Sequence, residues 1–438
     1  MRLRRSELAR LSEPDAFAWL AGIEDTFISA PSAKTGRTLD EYDLTEHSLR
    51  WRDDLALFAE LGVRAVRYGI PWHRINPAPG VWDFAAADGP LERLLALGIE
   101  PIVDLVHYGV PSWIDGAFLH PRYDAYVAEY AARVAERYQG RIHAYTPLNE
   151  PRVTAWYCGK LGWWPPQQRG WRGFTRVMLG VCRGIVATTR ALRAVDPEIV
   201  AVHVEATDLY DAMQPEVEDE AALRQELVFC ALDLVSGKLR EGHPLFAWAL
   251  AHGASAEEIE WFAAHALELD LVGINLYPLF SQKRVIRTKR GLRIRMSYAM
   301  PEIVERLGEM YSERYARPLW ISETASRGSV RRRRAWLEGS VAAVRKLRAR
   351  GVPLVGYTWW PLFSLVGWAY REGKKPVHDY LHPMGLWDLV PGERGLERVR
   401  TPLVDAYREL VSGGAAAVGR LARSEPPVES LESPTSRR

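Results

Sequence analysis

Residues 51–70 read WRDDLALFAELGVRAVRYGI. Over Trp51–Leu61 the apolar residues recur three and four apart with charges on the opposite side, the period of an amphipathic helix. Gly62 is a helix stop, and Ala65–Ile70 is a short apolar run of strand type. The unit therefore reads helix, stop, strand. Seven more runs of the second kind occur, at Phe17–Ile23, Ile99–Val106, Ala144–Leu148, Val200–Val204, Leu271–Leu276, Leu319–Ile321 and Val355–Trp359. Tyr123–Tyr138 and Ala335–Arg350 repeat the helical period, the latter followed by Gly351. Eight strands alternating with helices predict an α/β chain folded as a (β/α)8 TIM barrel, a single domain over residues 1–411. No fixed-period repeat suggests a solenoid or propeller.

Composition narrows the function. The 438 residues are 47% hydrophobic and 26% charged, as in soluble globular proteins. Lys and Arg number 57 against 55 Asp and Glu, a net charge of +2 that offers no global field for nucleic acid or an anionic membrane, so neither is expected as a partner. Cys158, Cys182 and Cys230 are far apart and in no C-x-x-C pattern, which argues against a disulfide framework or a zinc site. Charges at Glu7, Arg10 and Glu13 interrupt any signal-peptide core, and the expected location is cytoplasmic. Gly351–Tyr370 lacks charge, but Pro353, Gly356, Pro361 and Gly367 make it a buried strand and loop rather than a membrane span. Lys283–Arg295 (KRVIRTKRGLRIR) reads as a basic hairpin or loop inserted after the sixth strand, with a solvated face favoured over an anion-binding one. Residues 412–438, rich in Pro, Ser and Glu toward the end, are expected to be a disordered tail.

In such a barrel the chemistry gathers where the strands end. Glu150 follows the fourth run in YTPLNEP and Glu323 the seventh in PLWISETAS, so the two face each other across the barrel mouth. Paired carboxyls there suggest glycoside hydrolysis, one as general acid and the other as nucleophile or as base for a water. Asn149 offers an amide to a sugar hydroxyl. Tyr277 in GINLYP and Arg67 in VRYGIPW are placed to keep a neighbouring carboxylate ionised. Several of the 17 tryptophans, including Trp360 and Trp368, lie near strand ends, where indoles stack on sugar rings as readily as they fill core. No dinucleotide-binding, P-loop or H-E-x-x-H pattern occurs, and neither a metal nor an organic cofactor is expected.

The runs TEHSLRWRDDLALFAELGVRAVRYGIPWHRINP, GIEPIVDLVHYGVPSWI, YTPLNEP, LVGINLYP, LWISETAS, GYTWWPLFSLVGW and MGLWDL, in this order, resemble glycoside hydrolase family 1, the β-glucosidase family, from about Phe17 to Asp388. The resemblance implies a retaining mechanism on a small glycoside or oligosaccharide. Glu150 matches the acid/base of the family's N-E-P motif and Glu323 the nucleophile of its T-E-N-G motif. Asn149, Arg67, His107, Asn275, Tyr277 and Trp360 match positions that bind the sugar or tune the nucleophile. Retention calls for carboxyls about 5–5.5 Å apart, a raised pKa at Glu150 and an ordinary or lowered one at Glu323. His107 is read as a neutral donor to the sugar.

The departures concern the sugar pocket. Gly367 stands before Trp368 where the family has a Glu that grips the far hydroxyls, Phe27 falls where a sugar-binding Gln is usual, and Thr324 and Ala325 follow the nucleophile in place of Asn and Gly. Glu24 or Asp25 is a candidate to take over the lost contact. An exo-acting retaining β-glycosidase with altered glycone specificity is therefore expected. A related endoglycanase and a catalytically silent carbohydrate-binding barrel stay open, with a phosphosugar glycosidase as a weaker idea from Arg371, Lys374 and Lys375. Oligomeric state is not legible.

Overall fold

The computed structural model describes residues 3–422. Eight parallel strands, Ala18–Gly22, Ala65–Gly69, Glu100–Asp104, Ala144–Thr146, Val200–Ala206, Leu271–Asn275, Leu319–Thr324 and Leu354–Trp359, close into a barrel in chain order. Each predicted run overlaps one of them, and the fifth, seventh and eighth strands extend one to three residues beyond theirs. The first strand closes the ring, pairing Ala18 with Gly356 of the last and Leu20 with Ala65 of the second. Helices His47–Leu61, Tyr123–Arg137, Gly170–Val195, Glu302–Tyr315 and Val330–Ala349 pack around it. Strands buried on both faces need apolar residues at nearly every position, which is why they read as continuous runs rather than as alternation. Gly62 ends its helix at φ 77°, its N–H bonding the carbonyl of Ala59 at 3.1 Å.

The interior is a packed core. Leu20, Ala65, Ile102, Ala144, Val200, Val202, Val204, Leu271, Trp320 and Val355 fill it, joined by Leu3 and Leu11. The 3-10 helix Arg5–Ser12 closes the end where the strands begin, Arg5 N–H bonding the carbonyl of Glu198 at 3.0 Å. Trp320 fits because residue 356 is glycine: a Cβ there would sit 2.5 Å from the indole. With that end closed, the loops at the other end carry the site.

The segment 351–370 holds the eighth strand and the loop after it, and among the described residues no helix is long and apolar enough to cross a membrane. The basic segment is a hairpin, Gln282–Thr288 paired antiparallel with Gly291–Ser297. Residues 412–422 of the expected tail are packed on the barrel. Helix Leu403–Gly413 runs into a 3-10 turn, Gly414–Val418, that accepts a hydrogen bond from Trp19 Nε1 on Gly414 O at 3.0 Å. Arg348 Nε holds Gly419 O at 3.0 Å, and Leu421 N–H bonds Pro14 O at 2.9 Å. Val418 and Leu421 are both buried, which anchors residues 412–422. Residues 423–438 of the expected tail lie outside the described residues.

Candidate active site

Glu150 follows the fourth strand at φ 46°, in the left-handed region, and caps a short helix whose first residue is Pro151. Its N–H bonds the carbonyl of Val204 on the fifth strand, and Asn149 N–H bonds that of Val106 at 2.9 Å. The turn is thus pinned to the fifth strand and to the segment just after the third. Glu323 sits in the seventh strand beside a register shift, opposite Asn275 of the sixth. Both carboxyls are buried.

Glu323 has two donors. Tyr277 donates its hydroxyl to Oε2 at 2.7 Å, and Arg67 Nη1 donates to Oε1. The other guanidinium nitrogen of Arg67 donates to Asp104 and, at 2.6 Å, to Oδ1 of Asn149. Glu150 is held differently. Asn275 Nδ2 donates to its Oε1 at 2.9 Å, and the hydroxyl of Tyr108 to its Oε2. Ser322 Oγ donates to Oδ1 of Asn275 at 2.6 Å and so fixes that amide with its nitrogen toward Glu150. Asn275 Nδ2 also reaches Oδ1 of Asn149 at 3.1 Å, linking the two halves of the site. A permanent cation therefore touches Glu323 and only neutral donors touch Glu150.

Burial pushes both carboxyls up. Glu150 is raised, its contacts with Tyr108 and Asn275 only partly offsetting burial. Glu323 is pushed to about 8: burial together with the charges of Glu150 and Glu24 outweighs Arg67 and His107. The expected ordinary or lowered Glu323 is corrected accordingly. Two buried carboxyls this close cannot both ionise readily, and they titrate as a pair.

His107 lies between two acids. Its Nδ1 faces Asp25 Oδ1 at 2.8 Å and Asp104 Oδ2 at 3.1 Å. Burial pulls the ring toward neutral, but the two carboxylates hold its pKa well above the ordinary value. Nδ2 of Asn149, 2.9 Å from Nε2, is a donor and favours a lone pair there. The carboxylates thus favour a proton on the ring, while the amide favours Nδ1–H with the lone pair on Nε2.

Glu24 enters the same wall. Its Oε2 accepts from Trp360 Nε1 at 2.9 Å, and its Oε1 lies 3.6 Å from His107 Nε2. Trp360 stacks parallel to His107 at 5.8 Å, with Arg67 4.8 Å above its ring. Gly22 makes room, since a Cβ would lie 2.1 Å from the indole. Trp368 joins an aromatic group with Tyr108, Trp164 and Tyr157, centroids 5.0–5.3 Å away. All ten residues singled out from the sequence thus come to this end of the barrel.

Tyr108 and Asp104 were not anticipated, and Asp25, an alternative to Glu24 in the sequence, pairs with His107 instead. Asp104 left a trace, as a charge inside an otherwise apolar strand run; Tyr108 beside His107 left none, because a Tyr after a strand is ordinary. Asp25, Asp104 and His107 bring ligand-type atoms within 4.8 Å of one another. Arg67 already neutralises Asp104, which fits an ion-paired wall better than a cation site.

Residues 20–231 match the model of Glycosyl hydrolase family 1. The chain belongs to glycosyl hydrolase family 1. It is a glycoside hydrolase. This family 1 hydrolase is 37% identical over 146 residues to the bifunctional β-D-glucosidase/β-D-fucosidase of Bifidobacterium breve, a match covering 30% of this chain and 31% of that one. It is 24% identical over 395 residues to β-glucosidase A of Thermotoga maritima, covering 80% and 84%. The solved family 1 β-glucosidase from Thermotoga maritima superposes with a TM-score of 0.78 at 20% identity, covering 92% of this chain and 98% of that one, a likeness of fold.

Proposed function

We propose that this family 1 hydrolase is a retaining, exo-acting β-glycosidase. The observation that carries the reading is the unequal treatment of two buried carboxyls: Arg67 and Tyr277 on Glu323, Asn275 and Tyr108 on Glu150. When the pair holds one proton between them, the cation and phenol on Glu323 favour that proton on Glu150, which leaves Glu323 to attack.

In the first step Glu323 forms a bond to the anomeric carbon while the bond to the leaving oxygen breaks, and Glu150 passes its proton to that oxygen. In the second, Glu150 takes a proton from water, whose oxygen displaces Glu323 and restores both groups. Neither step needs a metal or an organic cofactor. Glu24, His107, Trp360 and Asn149 are all buried and close one end of the site, which supports exo action on the terminal sugar.

The glycone preference follows from the same wall. Glu24, an acceptor on Trp360 Nε1, supplies the carboxylate for sugar hydroxyls on this side. At Gly367 no side chain competes: the ring of His382 occupies that space, 2.7 Å from where a Cβ would be. The loss of one grip and the gain of another support an altered glycone specificity. The Bifidobacterium relative is named for glucoside and fucoside hydrolysis, and β-fucosides, which lack the 6-hydroxyl, lead the sugars to be tried. The three cysteines are buried thiols, none of them paired, which supports a reducing compartment, the cytoplasm.

The test is a panel of nitrophenyl β-glycosides (glucoside, fucoside, galactoside, xyloside, glucuronide and 6-phosphoglucoside) with Glu323→Ala beside the native protein. Release that vanishes in the variant, with the β-anomer appearing first by NMR, is expected. Folded native protein silent on every sugar overturns the reading and favours the sugar-binding barrel.

A further inference from the structure

The hairpin after the sixth barrel strand takes no part in the site, and its charges are arranged unlike others in the protein. Residues 282–297 (QKRVIRTKRGLRIRMS) hold seven lysines and arginines and no acid. Pairing sets Arg284 opposite Arg295 and Arg293 opposite Ile286 on one face. The other face is anchored through Val285, which packs with Val217 and Ala221. Lys283 alone reaches an acid, Asp208 Oδ1 at 3.9 Å. Among the described residues the side chains of Arg284, Arg287, Lys289, Arg290, Arg293 and Arg295 make no ion pair or hydrogen bond. Like charges directly opposed across a hairpin destabilise it. Nothing in the folding of this segment explains them.

The same hairpin leaves apolar side chains uncovered, Ile294 opposite Val285 and Met296 opposite Lys283, on the face away from Arg284, Arg293 and Arg295. Phe280, Ile294, Met296, Tyr298 and Met300 are 37–67% exposed, five of the twelve large hydrophobic residues exposed among those described. Met213, a sixth, follows the strand Leu209–Ala212 that pairs with the hairpin, its N–H bonding the carbonyl of Val285 at 3.0 Å.

The strip is also tied to the mouth of the barrel. Phe280 lies 6.2 Å from Tyr277, and Ala299 N–H bonds the carbonyl of Pro278 at 2.7 Å. Tyr298 shares a 2.7 Å hydrogen bond with Ser326, three residues beyond Glu323. The hairpin therefore stands on the end of the barrel that holds the two carboxyls.

We propose that this strip docks the enzyme on an anionic lipid surface. Such a surface satisfies both halves when the edge strand Gly291–Ser297 meets it side-on: headgroup charge meets the unpaired arginines of one face, and the interface with the acyl chains takes Ile294 and Met296 of the other, with Met300 and Phe280 at the base of the hairpin. A soluble polyanion meets the cations but gains nothing from exposed methionines. The near-zero net charge of the whole chain conceals the strip because acids elsewhere cancel it in the sum. Docking brings the barrel mouth to the membrane, so that the terminal sugars of glycolipids become the substrate class; this last step rests on the glycosidase reading above.

The experiment sediments the full chain with vesicles of phosphatidylcholine mixed with phosphatidylglycerol, with phosphatidylcholine vesicles alone, and runs it on heparin. Binding to the mixed vesicles, weakened by salt, is expected. Removing three cations together, Arg284→Gln, Arg293→Gln and Arg295→Gln, should weaken it roughly a hundredfold, about fivefold per cation. Met296→Ser with Met300→Ser should weaken vesicle binding several-fold and leave heparin binding unchanged. Equal binding to phosphatidylcholine alone, undiminished binding by the triple variant, or heparin binding without vesicle binding overturns the proposal. Hydrolysis of a soluble aryl glycoside, followed in the same preparations, should be unchanged in both variants. A native protein that sediments with the mixed vesicles but cleaves no glycoside leaves docking standing and defeats the glycosidase reading alone.

Discussion

Tyr277 donates its hydroxyl to Oε2 of Glu323 at 2.7 Å, while Arg67 donates to the other oxygen of the same carboxyl. Both contacts favour the ionised form. Tyr277→Phe removes one and leaves the ring in place. A hydrogen bond to a charged group contributes about 1.5–3 kcal/mol, so kcat/KM should fall roughly ten- to hundredfold. The acid limb of its pH profile should move to higher pH, because Glu323 then holds its proton more tightly. An unchanged limb would mean that Tyr277 does not tune this carboxyl.

Glu323 also links stability to pH. Its pKa rises from 4.5 to about 8 on folding, chiefly through burial. Between those values the folded protein binds more protons than the unfolded chain, so this group favours folding below about pH 4.5 and loses that contribution as pH rises through about 8. Glu323→Gln removes the charge that must otherwise be buried. Its melting temperature should match the native protein near pH 4.5 and exceed it at pH 8. A variant less stable than native at pH 8 would contradict the assignment.

Glu24 should govern which sugar is accepted. Glu24→Ala takes the acceptor from Trp360 Nε1 and empties part of the glycone wall. The expected loss in kcat/KM on the best glycoside is about ten- to hundredfold, most of it in KM. The ratio between glycosides differing at that end of the sugar should shrink. Equal losses on all sugars would place Glu24 outside glycone recognition.

Gly356→Ala tests the packing of the barrel interior. The added methyl would meet the Trp320 indole at 2.5 Å, with both residues inside the ring of strands. Overpacking of this kind costs about 1–3 kcal/mol. A thermal melt should show a clear fall with no change in KM. An unchanged melt would show that Trp320 can move aside.

The fold was legible because burial leaves a local mark. Ala65–Ile70 and Leu271–Leu276 are apolar at nearly every position, as strands covered on both faces must be. Closure in chain order then carries Glu150 and Glu323 to one end without further information. The limits show at particular residues. Tyr108 donates to Glu150, yet nothing about a tyrosine after a strand announces it. Residues 412–422 looked like the start of a tail until Trp19, Arg348 and Pro14 were found holding Gly414, Gly419 and Leu421.

The sequence by itself determined the eight strands, their order and the two carboxyls at the strand ends, since each depends on a residue and its immediate neighbours. Only the tertiary structure decided that Glu323 is pushed to about 8, that Asp25 and Asp104 raise His107, and that, among the described residues, six hairpin cations make no ion pair. Those properties are sums over neighbours in space. Arg67 and Glu323 are 256 residues apart in the chain and touch only because the barrel closes.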